Sequence, residues 1–342
     1  MTVNNHQCEQ QFHFFVNSAG DVIMMTHSMK TIYFPWLLAG LLLGALQACK
    51  TGRVISGAAV NITNNYCAPA AAYSNDPAKA PLKNTDSLLS ANKDMPVHEV
   101  LIANASGTLE LIQQLKTAIA DTTVAGFMRK TDIRTQIHHR LLLATMEIAG
   151  VAAELDCEGE RADQLARYLD NFNSKRNTRL TVASIIVAAI TTIATVAIKD
   201  DGPQNAAAIS GGLLSAGLGA MTINAAGQKI KLLHERNVLR DLWYTPDTSA
   251  IYPPFTWYVL NEKHFSNSGQ SSLAANIKQR WEKFDLDLPV GAADEKLFFG
   301  GGGIYKSDDL HKRAAMVNEL QSTIRSINQD LQRLLQYLGS LE

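Results

Sequence analysis

A chain of 342 residues with 46% hydrophobic and 18% charged residues has the composition of one large folded domain or two small ones, and excludes disorder throughout. Its net charge of −1, with Lys and Arg scattered along the chain, leaves no electrostatic footprint for nucleic acid.

Residues 1–28 fit no recognisable element, and translation is expected to begin at Met29. From there Lys30 forms a short positive region, Ile32 to Leu46 is uncharged, and small residues precede Cys49. That is the anatomy of a secretory signal over residues 29–48. The last four positions, Leu46, Gln47, Ala48 and Cys49, resemble the lipobox of bacterial lipoproteins. The resemblance implies that Cys49 is lipidated and becomes the mature N-terminus, tethering the chain to the cell envelope. Gln47 departs from the small or branched residue usual at its place. Lys50, rather than Asp, follows the cysteine and implies release toward the outer membrane. The alternative is an uncleaved membrane helix, since the uncharged run is nearly long enough to span.

With Cys8 and Cys49 in the leader and anchor, Cys67 and Cys157 remain. In an oxidising compartment two such thiols can pair; in isolation they are two inert thiols. Residues 49–95 are rich in Ala, Asn, Ser, Pro and Thr with little periodicity, the composition of a flexible tether.

The body, residues 96–342, is expected to be all-α, an elongated helical bundle with a long antiparallel apolar hairpin. Pro96 suits a first helical turn, and Leu101, Leu109, Ile112, Leu115 and Ile119 form a stripe interrupted by Gly107. A long helix starting near Asp132 carries Leu141, Thr145, Ile148, Ala152, Leu155, Gly159, Ala162, Ala166 and Leu169 in alternating steps of four and three. Such a seam packs on a partner helix. Gln228 to Trp243 reads as a further amphipathic helix. The segment 243–303 mixes prolines with Trp243, Tyr252, Phe255 and Trp257, predicting turns, aromatic plugs and a short helix over Leu273 to Phe284. A last helix from about Asp308 carries Leu310, Ala314, Val317, Ile324, Ile327, Leu331, Leu334 and Leu338. No strand-rich segment is expected.

Residues 180–227 stand apart. Leu180 to Ile198 is a charge-free run that includes Ile185, Ile186, Ile190 and Ile193. As a helix it spans about 28 Å, against about 30 Å for a hydrocarbon core. After a breaker at Lys199 to Pro203, a second uncharged run carries two rows of small residues: Gly211, Ser215, Gly219 and Gly212, Ala216, Ala220. Such rows allow close helix approach in lipid. Lys175, Arg176 and Arg179 precede the first run and Lys229 and Lys231 follow the second, suited to anionic headgroups if the hairpin brings all five to one level. Two readings stand: contact with membrane lipid, or an innermost pair buried in a soluble bundle that serves as an envelope scaffold, binding another envelope protein or itself. Long helices with an apolar hairpin resemble, in outline, the α-helical pore-forming toxins of the cytolysin A type. That resemblance implies a hairpin sheltered in solution and inserted at a bilayer.

No catalytic constellation, cofactor or metal site is expected. Gly300 to Ser307 reads GGGGIYKS, but a phosphate-binding loop needs Gly where Tyr305 stands, and nucleotide binding is not expected. The glycines are read as a turn and Ser307 as a helix cap. His234-Glu235 lacks the second histidine of a zinc helix, Val238 standing there. Asp308 and His311 form a single Asp-x-x-His, short of a di-iron set. Asp156, Glu158, Glu160 and Asp163 read as a solvated helix face.

Overall fold

The computed structural model describes residues 54–56, 67–69, 73, 80–223, 227–286 and 288–341. The expected extension, the signal segment and the lipidation motif Leu46, Gln47, Ala48 and Cys49 lie outside the described residues. Within them the protein is all-α in character: β1 (Val54–Ser56), α1 (Thr85–Ala91), α2 (Val97–Ala105), α3 (Leu109–Ala118), α4 (Val124–Ala197), α5 (Asp201–Ile223), β2 (Lys229–Leu233), α6 (Arg240–Tyr244), α7 (Pro254–Asn261), α8 (Leu273–Phe284), α9 (Ala292–Phe298), β3 (Gly302–Tyr305) and α10 (Ser307–Gly339). The chain divides into two compact units: residues 52–175 with 226–342, and a smaller one that includes 176–225.

The larger unit is a helical body. No proline stands between Pro96 and Pro203, so nothing breaks α4, which runs for 74 residues. Up to Leu169 it buries the expected seam, with Ala144 in place of the exposed Thr145. At Gly159 an added Cβ would lie 2.5 Å from Asn318 Oδ1 on α10, so α10 crosses close to the α4 backbone there. The stripe of α10 is buried from Leu310 to Leu334. Gly107, at φ +66, turns the chain between α2 and α3, a conformation a Cβ disfavours. Thr85 opens the first described helix ahead of Pro96, so the body reaches back into the stretch read as a tether.

Cys67 and Cys157 are bonded, joining that early stretch to the middle of α4 across 90 residues of sequence. Aromatics of the 243–303 segment fill the body: Trp243 stacks on Phe299 at 4.1 Å and Tyr252 on Trp257 at 5.9 Å, and Trp281 of α8 is fully buried.

The body also holds a three-stranded sheet of order β1-β2-β3, against the expectation of no strands. β1 runs parallel to β2, with Ile55 opposite Ile230, and β2 antiparallel to β3, with Ile230 opposite Tyr305. Lys229–Leu233 alternates outward and inward side chains. The stretch read as one helix to Trp243 is therefore a strand, a turn and the five-residue α6. The glycine run read as a turn supplies β3, where Gly302 has φ +82 and a Cβ would collide with the Leu232 carbonyl.

The smaller unit is an antiparallel helical hairpin made of the last part of α4 and all of α5, with the turn at Lys199-Asp200. None of its residues from Leu180 to Thr222 is buried.

Candidate functional site

The hairpin is built inside out. Where its helices meet, the contacts are small and polar. The Ser184 hydroxyl lies 3.2 Å from that of Ser215, and each donates to the other's main-chain carbonyl, at 3.0 and 3.1 Å. Gly211 packs against Thr191 so closely that a Cβ would overlap its side chain. Near the turn the Gln204 amide donates to the Thr195 carbonyl at 2.7 Å. The two rows of small residues thus differ: Gly211, Ser215 and Gly219 face the partner helix, whereas Gly212, Ala216 and Ala220 face outward, with nothing within 4 Å of Gly212.

Outward too point the large apolar side chains. Ile185, Ile186, Ile190, Ile193, Val196, Ile209 and Leu213 are exposed, reaching 69% at Ile193 and 82% at Val196. The most apolar eighteen-residue window of α4, long and apolar enough to cross a membrane, is 0% buried. Every Ser and Thr hydroxyl from Thr181 to Thr222 donates to a main-chain carbonyl within the hairpin. No hydroxyl there depends on solvent for its hydrogen bond, which is what hydrocarbon demands. The reading of the hairpin as a buried innermost pair does not hold for these residues. A soluble core needs its isoleucines covered, and these are not.

Of the five expected headgroup contacts, Lys175, Arg176 and Arg179 lie on α4, with Lys175 and Arg179 exposed. Lys229 and Lys231 do not continue a helix. They stand on β2, Lys231 exposed and Lys229 half-buried, because the chain enters the sheet there.

A second feature lies in the body. A cleft of about 310 Å³ is lined by His234, Glu235, Asn237, Arg240, Tyr244, Phe299, Gly300 and Gly301. His234, 6% exposed, has Nε2 at 2.8 Å from the Tyr305 hydroxyl, which itself donates to the Leu297 carbonyl at 2.5 Å. Nε2 therefore carries the proton and Nδ1 is a bare acceptor with no partner in the structure. Burial, then Arg313 and Arg161, hold the imidazole neutral far below its usual range, so it is unfit to act as a general acid. Burial pushes the Tyr305 phenol up to about 12.

Behind the cleft lies a buried polar knot that the sequence did not reveal. Glu158, read as solvated, is buried and pairs with Arg161 at 3.0 Å. Arg313, with no exposure at all, donates to Asn237 Oδ1 at 3.2 Å and to the Phe298 carbonyl at 3.1 Å, with Glu158 at 3.9 Å. Burial raises the Glu158 carboxyl against the pull of both arginines. The one available signal was Arg313 falling between Leu310 and Val317 on the apolar stripe of α10.

His311 lies 2.9 Å from Asp170 and 3.3 Å from Asp163, and no cluster able to hold a metal ion occurs among the described residues. Ser307 does not cap α10. Its hydroxyl reaches Asp170 on α4, and Asp309 instead accepts from the Lys306 amide at 2.9 Å. Compared with known proteins, the chain matches no protein-family model, no curated protein and no solved structure.

Proposed function

We propose that this chain is a lipid-anchored protein of a bacterial envelope, without enzymatic activity, that associates with or perturbs a membrane through the hairpin of α4 and α5. One observation carries the reading: the hairpin joins its two helices through Ser184, Ser215, Thr191 and Gly211 and displays its isoleucines. A water-facing helix pair gains by hiding such side chains, about 1.5 to 3 kcal/mol each. A lipid-facing pair gains nothing by hiding them, and associates through small residues and internal hydrogen bonds.

Two further features support it. The disulfide of Cys67 and Cys157 suits an oxidising compartment outside the cytoplasm, in keeping with an export signal before Cys49. Lys175 and Arg179, both exposed just ahead of the apolar run, suit anionic headgroups.

Release of dye from vesicles of phosphatidylglycerol and phosphatidylethanolamine tests the proposal. Gly212→Asp with Ala216→Asp sets two carboxylates on the outward row, away from the partner helix. Each charge costs about 3 kcal/mol at the bilayer centre. The variant is expected to keep its fold by circular dichroism and lose release. Equal release by wild type and variant, both folded, rules out insertion of the hairpin.

A further inference from the structure

Between Leu180 and Ile223 the ionisable side chains are Lys199, Asp200 and Asp201, adjacent in sequence and all exposed. They form the turn of the hairpin, and α5 begins at Asp201. The arms on either side are uncharged throughout. The 23 residues of α5 span about 34 Å as a helix, enough for a hydrocarbon core of about 30 Å. A hairpin whose basic residues Lys175 and Arg179 stay at the near headgroups must therefore send this turn to the far side.

We infer that insertion is triggered by acid, through protonation of Asp200 and Asp201 at the turn. The inference rests on the membrane reading above. An ionised carboxylate is strongly disfavoured in hydrocarbon and the neutral acid far less so. The state with the turn inside the bilayer thus binds more protons than the state in water. By linkage, lowering the pH favours and speeds the crossing.

Among the described residues, the groups around the turn do not blunt this. Gln204 of α5 donates its amide to the Thr195 carbonyl of α4 and its main-chain N–H to the Asp200 carbonyl. Val196, Ala197 and Ile198 on one arm and Pro203 and Asn205 on the other carry no charge. Among the described residues of the turn, Lys199 is the cation at hand. Its long stem lets the ammonium lag near water.

The test uses the full chain, the same anionic vesicles, and the variant Asp200→Asn with Asp201→Asn, each at neutral pH and at about pH 5. Wild type is expected to release dye at least about tenfold faster in acid, and the variant to release at neutral pH at least as fast as wild type in acid. Wild type and variant releasing equally at both pH values overturns the trigger and leaves the membrane reading intact. A variant that still needs acid also overturns it, since the proton then acts elsewhere, for instance on the body around His234. Folded wild type and variant that release nothing at either pH defeat the membrane reading and the trigger together.

Discussion

His234 and Arg313 share one buried neighbourhood, and the burial of His234 predicts a response to acid. His234 is held neutral in the folded chain, whereas an unfolded chain takes up a proton on this imidazole below about pH 6.5. The folded-state pKa is depressed, so stability is complete above that pH and is lost as the pH falls through it. The loss approaches about 1.4 kcal/mol per pH unit. Urea unfolding at a series of pH values is expected to show this slope between neutrality and mildly acidic pH, and His234→Gln to flatten it. An unchanged slope would place the acid sensitivity on another group. Glu158 pairs with Arg161 and lies 3.9 Å from Arg313 where none of the three is more than slightly exposed. Glu158→Ala removes a buried carboxylate from beside both arginines and is expected to destabilise the body by about 3 to 5 kcal/mol, read as a fall in the unfolding midpoint. Beyond the place of Arg313 on the apolar stripe of α10, this was not legible beforehand, because Glu158 meets Arg313 from 155 residues away along the chain, and local charge patterning sees only Arg161.

Elements differ in how plainly the sequence declares them. The seam of α4, the stripe of α10 and the limits of α8 are written in periodic apolar residues, and the folded chain buries nearly all of them. The sheet is not written that way. β2 is five residues inside a segment whose apolar spacing also suits a helix, and its partners lie at residues 54–56 and 302–305, far off in sequence. β3 is half glycine, with little intrinsic preference for a strand. In the hairpin both small rows have the same spacing, and only the positions of Ser184 and Thr191 decide that Gly211 faces inward. That contrast is testable by forming a disulfide between Ser184→Cys and Ser215→Cys. Gly212→Leu is expected to leave the crosslink intact and Gly211→Leu to prevent it. At the same scale, removing the native bridge by Cys67→Ser with Cys157→Ser frees a loop of 90 residues and is expected to cost about 4 to 5 kcal/mol by the chain-entropy estimate. A small change in midpoint would mean the unfolded chain is already constrained.

At the scale of the whole molecule, two units of opposite design share one chain. The larger hides its leucines and isoleucines around Trp281 and Arg313; the smaller pairs Ser184 with Ser215 between its helices and shows its isoleucines. The apolar character of residues 180–227 was legible from composition alone. Composition could not say which side of each helix is covered, since a buried pair and a lipid-facing pair have the same residues. Folded coordinates distinguish them through burial, and that distinction supports the proposed membrane-facing role. The most direct measurement places a nitroxide on Ile190→Cys, in the middle of the first arm and 61% exposed. With anionic vesicles present, the label is expected to become shielded from a water-soluble nickel relaxant and accessible to oxygen dissolved in lipid. A label equally accessible to nickel with and without vesicles would contradict the account.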